Sequence, residues 1–429
     1  MRATVLARWA AVYLGVALLG CGDTENIQPA ATGEVADGKL TYFQDIKPIF
    51  DAKCTSCHTP GGIGPFDMTN YETLVDYAGL IKAVVAEKIM PPWLAADGCA
   101  DYLADRSLQD DQIATIGKWV DEGALQGDAA NEAAPLAAVE DFALSRVDRS
   151  LEMAVDYVAQ QEPDDYRCFV LDWPETSLKY VTGFRANPGN PAVVHHVIAF
   201  LAGPSLADDA VAKDAAEEGP GYTCFGTANL GANTAWIGSW APGSRGTDFP
   251  PDTGLPVEPG SKIVLQVHYN TLTAGVQPDR TSIDVRLADS VGKEAWIQPW
   301  TNPTWITQDA MQIPAGEMDV EHKFVFDPTD YISGGEPFTM YSAGLHMHTL
   351  GSRGTLEIWR DGGDKECLLD IPRWDFHWQG AYGFAEPKRF NPGDQLFIEC
   401  HWDNTTPNDV SWGEGTGDEM CLGAFYLTR

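Results

Sequence analysis

The chain has 429 residues, of which 28 are basic and 62 acidic, so its formal net charge is −34. This charge disfavours nucleic acid and anionic membrane surfaces as ligands, because both carry charge of the same sign. At roughly 100–200 residues per domain, the length predicts two to four domains. Glycine, proline and tryptophan are abundant and accompany short β-rich runs, which favours β-sandwiches over helical bundles for most of the length.

Residues 1–21 have the features of an export signal. Two arginines precede an apolar run from Trp9 to Leu19, which is too short to span a bilayer as a helix. The run ends in Leu18-Leu19-Gly20-Cys21, which resembles a bacterial lipobox; an ordinary signal peptide with a chance cysteine is the alternative. Residues 22–39 are small and polar, as a flexible tether should be. We therefore expect an exported lipoprotein of the bacterial periplasm or cell surface, held at the membrane only through lipid on Cys21.

Residues 40–128 have a helical apolar pattern and contain Cys54-Thr55-Ser56-Cys57-His58. Cys-x-x-Cys-His is the attachment motif of c-type haem, in which both thiols bond to the haem and the imidazole approaches the iron. A thioredoxin-like redox pair would need a βαβ context, which is missing here. Met90 is the better candidate for the sixth iron ligand, because two prolines after it stiffen the loop. Met68 lies so near His58 in sequence that we expect it in the core, and the whole segment resembles a single-haem class I cytochrome c domain.

Residues 129–145 are alanine-rich and acidic, and we interpret them as an interdomain linker. The β-rich remainder contains five histidines in apolar strand contexts, namely His195, His196, His268, His346 and His348. Residues two apart on a strand project from one face with their Cα atoms about 6.6 Å apart, so His346 and His348 can bind one metal ion. Neighbouring strand residues point to opposite faces, so His195 and His196 need a bulge, or different ring nitrogens, to do the same.

The five histidines are accompanied by a thioether, Met420, near the C-terminus. A lone His-x-His pair is explained equally well by half-exposed strand residues, so the prediction of a metal depends on the whole set. Imidazoles suit both oxidation states of copper, and a soft thioether favours Cu(I). The set therefore predicts copper.

Taken in order, these motifs give residues 146–429 a resemblance to the copper type II, ascorbate-dependent monooxygenases, a family that includes peptidylglycine α-hydroxylating and dopamine β-monooxygenases. The resemblance is carried by Tyr166-Arg167-Cys168, His195-His196, Gln266 to Asn270, His346 to Gly351 and Asp418 to Cys421. It implies two all-β jelly-roll-type sandwich domains, residues 146–296 and 297–429, each with one copper and facing the other across a solvent cleft. The expected fold is therefore multidomain, with an α-helical cytochrome c domain followed by these two sandwiches.

The resemblance also implies a role for each copper site. His195, His196 and His268 would form the electron-supplying site. His346, His348 and Met420 would form the site where dioxygen binds and the substrate C–H bond is cleaved.

Two departures from the family bear on its function. Peptide-amidating members anchor the substrate carboxylate with an arginine two residues before the His-x-His pair, and this chain has Gly344 there. A glycine-extended peptide is thus a poor substrate guess. The second departure is the haem, which could pass electrons to the coppers one at a time. The other histidines, His322, His377 and His401, are expected to be structural, with His377 the exception because its aromatic neighbours could line a pocket.

The leading hypothesis is a monooxygenase that hydroxylates a C–H bond of an unidentified small molecule. It would use dioxygen, two copper ions and one covalently attached haem c, with electrons from an ascorbate-like reductant or a redox protein. The alternative is a non-catalytic periplasmic copper-binding or electron-transfer lipoprotein, because binding and catalysis need the same ligands. The complete set of six copper ligands disfavours a third hypothesis, an extracellular binding module beside a cytochrome.

Nine cysteines are present, and six remain once Cys21 is assigned to lipid and Cys54 and Cys57 to haem. Disulfides persist in an oxidising compartment, although sequence alone cannot choose the pairing. The resemblance implies a Cys400–Cys421 pair, and it makes Cys224 a plausible partner for Cys168. We hypothesise that Cys99 and Cys367, which have no family counterpart, form a bridge that pins the haem domain to the second copper domain. Two free or separately paired thiols are the alternative.

Overall fold

A computed structural model of the chain describes residues 38–60, 64–136, 143–224, 226–231, 234–240, 244, 246–272, 274–413, 415 and 417–429. The expected export signal, the lipid-bearing Cys21 and nearly all of the tether lie outside the described residues, as does the centre of the expected linker. Within the described ranges, no helix has the length and apolar character needed to cross a membrane.

The N-terminal part of the described chain is helical and encloses an apolar core of its own. Helix α4 illustrates why: its apolar residues recur at helical spacing, so Ile116 and Trp119 are buried together, and Trp119 meets Phe50 edge-on. The helices are α1 (Lys47–Lys53), α2 (Tyr71–Asp76), α3 (Ala78–Ala86) and α4 (Asp110–Asp121), with a π-helix at Tyr42–Ile46 and a 3₁₀ turn at Ala129–Asn131.

The first β-domain consists of two sheets packed face to face. Its strands are β1 (Arg149–Glu152), β2 (Tyr157–Val158), β3 (Asp164–Asp172), β4 (Lys179–Asn187), β5 (Val194–Ala202), β6 (Tyr222–Thr223), β7 (Ala235–Trp240), β8 (Thr247–Asp248), β9 (Thr253–Val257), β10 (Lys262–Asn270), β11 (Pro278–Asp279) and β12 (Ser282–Ala288). One sheet has the order β1-β12-β4-β9 with β8 beside β4, and the other has the order β7-β5-β10-β3-β6. Strands β2 and β11 form a separate ribbon.

Strand β10 is buried along nearly its whole length because both of its faces are covered. Ile263, Leu265 and Val267 point into the core between the two sheets. Val264, on the opposite face, packs in a second apolar cluster with Cys168, Cys224 and residues of helix α5 (Ala207–Ala216). His268 follows this alternation, so it lies on the outer face with Val264.

The second β-domain is also a sandwich, with sheets β18-β15-β20-β13 and β14-β19-β16-β17 around one core. Its elements are β13 (Lys293–Trp300), α6 (Pro303–Thr307), β14 (Val320–Phe326), α7 (Thr329–Ile332), β15 (Phe338–His346), β16 (Gly351–Trp359), β17 (Lys365–Ile371), β18 (Ala381–Phe390), β19 (Gln395–Trp402) and β20 (Leu422–Thr428). The prediction of a mostly β-sheet chain is confirmed.

Strand β13 belongs to both sandwiches. It pairs with β20 from Ala295 to Trp300, and it also pairs with β7 through Ile297 and Trp236 and with β9 through Lys293 and Thr253. The expected boundary between residues 296 and 297 therefore falls inside a strand that joins the two domains.

The segment that follows α3 docks the helical part onto the second sandwich. The N–H of Leu103 donates to the Gly383 carbonyl (2.7 Å), and the N–H of Ala96 donates to the Asp370 carbonyl (2.8 Å). A disulfide joins Cys99 to Cys367, so the hypothesised bridge is confirmed. The pairs Cys168–Cys224 and Cys400–Cys421 are confirmed as well.

Candidate metal centres

The first histidine group is assembled by the neighbouring strands β5 and β10. His196 lies opposite His268, and the next pair joins Tyr269 to Val194, so His195 is the extra residue of a bulge. The bulge leaves Val194 and Val197 in the core and lets both histidines point to the outer face. This is the irregularity that two adjacent ligands require.

The three imidazoles of this group converge through their Nδ1 atoms. The Nδ1 of His196 lies 3.3 Å from that of His195 and 3.3 Å from that of His268. On the far side of its ring, the Nε2–H of His268 donates to the Asp164 carboxylate (2.9 Å), which leaves Nδ1 with its lone pair. Burial lowers the pKa of His195 to about 3 and lowers those of His196 and His268 as well. The rings are therefore neutral near pH 7, the form that binds metals.

These donors fit a copper ion. Their potential ligand atoms all lie within 4.8 Å of one another. The Nε2 of His195 is buried and has no hydrogen-bond partner, and the ring itself is stacked against Phe376. A cation bound among the Nδ1 atoms would account for their convergence, and imidazole is a preferred ligand of copper.

The second group lies on β15 and the turn after it. Leu345 and Met347 point into the core of the second sandwich, so His346 and His348 share the opposite face, with ring centroids 5.0 Å apart. This is the same-face arrangement that their spacing predicts.

Hydrogen bonds fix the protonation of both rings. The Nδ1–H of His346 donates to the side-chain carbonyl of Gln379, whose amide group donates in turn to the Phe376 carbonyl (2.9 Å). The Nδ1–H of His348 donates to the Asp418 carbonyl (3.0 Å). Burial lowers the pKa of His346 to about 3 and that of His348 to about 4. Each neutral ring therefore presents its Nε2 lone pair, and these two nitrogens with the Met420 thioether fit the mixed donor set of copper.

Glu419 ties Met420 to the histidine turn and was not singled out from the sequence. Its carboxylate is fully buried and accepts hydrogen bonds from the backbone N–H groups of His348 (2.9 Å) and Leu350 (2.6 Å) and from the Trp402 indole (2.8 Å). Burial raises the pKa of Glu419 to about 7, although these hydrogen bonds lower it. An acidic residue directly before a candidate ligand was the only sequence signal for this role.

Replacing Glu419 with glutamine is expected to lower the free energy of unfolding by about 1–3 kcal/mol. One accepting oxygen becomes an NH₂ group, so at least one buried N–H donor loses its acceptor. Urea unfolding of the variant beside Glu386→Gln, an exposed carboxylate on β18, measures the effect. Equal unfolding midpoints for the two variants would show that the carboxylate network does not stabilise the fold.

The two histidine groups are close neighbours. The rings of His196 and His346 have centroids 6.4 Å apart, and Phe376 stacks on His195 at 4.5 Å. The same phenyl ring meets His348 edge-on at 6.0 Å. The resemblance implied a solvent cleft between the sites, and the ring of Phe376 bridges one edge of that interface. One cavity of 1740 Å³ is nevertheless lined by members of both groups, including His196, His346, His348 and Met420.

The Cys-x-x-Cys-His motif begins where α1 ends, and its two cysteines are free thiols. The Nδ1–H of His58 donates to the Phe66 carbonyl (3.1 Å), which leaves Nε2 available to an iron. Cys54, Cys57, His58 and Met90 all line the cavity described above. The thiols, the oriented imidazole and the thioether around one cavity fit a haem group. Met68 is buried in the helical core, as expected, and also lines this cavity.

The other three histidines have protein partners. The side chain of His377 is 81% exposed and contacts Asp375, and its neighbour Trp378 lines the cavity instead. His322 contacts the Gln312 carbonyl. His401 is buried beside Glu399 and Glu321 in a group whose spacing could hold a metal, but Lys323 already pairs with Glu321.

Two largely buried histidine groups on adjoining β-sandwiches form two candidate metal sites. Residues 151–275 match the family "Copper type II ascorbate-dependent monooxygenase, N-terminal domain". Residues 304–428 match the C-terminal domain of the same family. Together these matches cover more than half of the chain. The chain belongs to the copper type II ascorbate-dependent monooxygenase family, as its motifs predicted.

The sequence identity to individual relatives is low. Human "DBH-like monooxygenase protein 1" is 25% identical over 256 residues, which is 54% of this chain and 39% of that protein. Human "Dopamine beta-hydroxylase" is 23% identical over 273 residues, which is 60% of this chain and 42% of that protein. The chain thus spans about two fifths of the length of these relatives. A solved structure, "Crystal structure of infectious bursal disease virus VP2 subviral particle", matches with 12% identity and a TM-score of 0.16. The match covers 69% of this chain and 74% of that one, and it has no bearing on function.

Proposed function

We propose that the chain is a copper-dependent monooxygenase that hydroxylates a C–H bond of a small molecule with dioxygen. The observation that carries the proposal is the presence of two distinct donor sets, one of three imidazoles and one of two imidazoles and a thioether. His196 of the first set and all three members of the second line a single cavity. The alternative, a non-catalytic copper-binding lipoprotein, needs neither two different sets nor a cavity that joins them.

The side chains have separate roles in this proposal. His195, His196 and His268 would bind one copper through Nδ1, and Asp164 holds the ring of His268 in the required tautomer. His346 and His348 would bind the other through Nε2 with Met420, and Gln379 orients His346. When bound, copper would supply the one-electron chemistry that activates dioxygen towards a C–H bond. Burial of both groups keeps the imidazoles neutral and limits the access of water.

The walls near the second group favour a neutral substrate. Trp378, Trp412 and Phe425 line the cavity, and Gly344 stands where the peptide-amidating relatives have a carboxylate-binding arginine. An added Cβ on Gly344 would lie 3.3 Å from the Gly380 carbonyl oxygen, so a larger side chain would crowd the neighbouring strand. We therefore propose a small molecule without a carboxylate anchor.

The helical segment, residues 40–128, is proposed to be a cytochrome c domain that delivers electrons to the copper sites. Cys54 and Cys57 would hold the haem covalently, with His58 and Met90 as iron ligands. An ascorbate-like reductant or a redox protein would reduce it. We also propose export and lipidation at Cys21. The three disulfides support an oxidising compartment such as the periplasm or the cell surface.

The purified chain is expected to contain two copper ions and one haem and to consume oxygen when a chemical reductant is added. Elemental analysis, haem absorbance and an oxygen electrode measure these three properties. Stoichiometric zinc, with no copper uptake by the metal-free protein, would exclude the proposal. Copper and haem without oxygen consumption, for any of a panel of neutral small molecules, would favour the non-catalytic alternative.

A further inference from the structure

We propose that Trp93 and Tyr382 form an aromatic relay that carries electrons from the haem segment directly to the group of His346, His348 and Met420. The relay rests on the proposed function, because it needs both a haem and copper. In each transfer one electron would leave ferrous haem iron, which becomes ferric, and would reduce one cupric ion to the cuprous state. The external one-electron reductant would then restore the ferrous haem.

The first step is the fixed position of the Met90 loop. Arg373, which follows β17, donates hydrogen bonds to the backbone carbonyls of Glu87 (2.9 Å) and Lys88 (2.8 Å), just before Met90. The Cys99–Cys367 disulfide closes the other end of the segment. The proposed haem ligand is therefore held against the second sandwich at both ends, rather than on a free linker.

The second step is an aromatic contact at this junction. Trp93 lies three residues after Met90, lines the same cavity as His58, and meets the ring of Tyr382 edge-on at 4.9 Å. The hydroxyl of Tyr382 accepts a hydrogen bond from the N–H of Leu94 (3.3 Å). Tyr102 packs against both rings, at 6.1 Å from Trp93 and 5.4 Å from Tyr382. These contacts hold the two rings in one orientation.

The third step leads from Tyr382 to His346 along two short stretches of chain. Tyr382, near the start of β18, lies three residues after Gln379, which precedes the strand. The side-chain carbonyl of Gln379 accepts the hydrogen bond from the His346 ring. Across the sheet, Tyr382 pairs with Ala343 on β15, three residues before His346. Both stretches end at the same imidazole.

The His195, His196 and His268 group lies on the far side of this path. Its described contact with the second sandwich is through Phe376, which stacks on His195, and through the approach of His196 to His346. An electron that enters at Trp93 therefore reaches His346 first. The relay thus reaches His346 without passing through the group on β5 and β10.

The test uses the full chain loaded with haem and copper, with metal and haem content measured first. A photoexcited ruthenium complex injects one electron into the haem, and the decay of the ferrous haem absorbance, together with the loss of the Cu(II) EPR signal, gives the transfer rate. The double variant Trp93→Leu/Tyr382→Leu is expected to transfer about tenfold more slowly or worse, because the ring contact is removed. Trp93→Phe/Tyr382→Phe keeps two rings and should restore most of the rate.

Two controls separate the relay from a general disturbance. Phe384→Leu removes a ring that contacts Tyr102 at the same junction but lies off the proposed path. It should leave the electron-transfer rate within about twofold of wild type. His268→Ala should remove the copper of the first group and leave the rate unchanged. Unchanged transfer in the leucine double variant, equal slowing by Phe384→Leu, or loss of transfer in His268→Ala would overturn the relay. A wild-type chain that binds no haem or no copper would instead overturn the proposed function, and the relay with it.

Discussion

Replacing Met420 with isoleucine is expected to lower oxygen-dependent turnover by about 100-fold or more, because changing even the residues that orient metal ligands costs about 10–100-fold. Isoleucine has a similar volume, so the buried position should stay filled, but it lacks the soft thioether that favours Cu(I). The three-histidine group and the Cys-x-x-Cys-His motif do not include Met420, so their copper and haem should be unaffected. Oxygen consumption, copper per chain and the haem absorption spectrum report on the three sites separately.

A matched control is Met318→Ile, at a residue that is 57% exposed and is not one of those lining the cavity beside the histidine groups. It should retain wild-type turnover. If Met420→Ile kept its activity, Met420 would not belong to the catalytic site, and the assignment of His346 and His348 to that site would need revision.

Replacing both Cys99 and Cys367 with serine is expected to lower the free energy of unfolding by up to ~5 kcal/mol. The two residues are 268 positions apart, so the bridge closes a long loop and restricts the unfolded chain strongly. The helical segment should be the first part to come loose, because its docking on β17 and β18 is anchored by this bond. Denaturant unfolding followed by haem absorbance, beside total unfolding followed by circular dichroism, measures both effects.

Peptide mapping without reduction is an independent check on the bridge. Neither cysteine should react with an alkylating reagent in the native protein, whereas both should do so after reduction. An unfolding midpoint equal to that of wild type, with haem absorbance and circular dichroism still changing together, would show that the hydrogen bonds of Leu103 and Ala96 suffice for docking.

Sequence periodicity was enough to anticipate much of each histidine group. The spacing of His346 and His348 on one strand face and the need for a bulge at His195 follow from the pleat of a β-strand. The positions of Asp164, Gln379 and Glu419 could not be anticipated in the same way. Each lies far along the chain from at least one histidine that it orients, 104 positions in the case of Asp164 and His268, so only the folded topology brings them together.

Contacts between domains were harder still to anticipate. Phe376 follows no periodic pattern, and its place between the histidine groups depends on how the two sandwiches meet. The docking of residues 96–103 on β17 and β18 was indicated in the sequence only by Cys99 and Cys367, the two cysteines without a family counterpart. The expected domain boundary after residue 296 falls inside β13, which pairs with strands of both sandwiches. The apolar pattern of a strand does not show which strands it pairs with, so this sharing could not be anticipated from the sequence.

Strand β13 gives the two sandwiches the mechanics of one continuous sheet. It pairs with the first sandwich through Ile297 on β7 and through Lys293 and Glu294 on β9, so swinging the sandwiches apart would break backbone pairing rather than bend a loop. A slip by one residue would move the histidine groups by about 3.3 Å and turn every side chain of the strand to the opposite face. Substrate and reductant are therefore expected to enter through rotation of side chains such as Phe376, and the distance between the two histidine groups should change little during turnover.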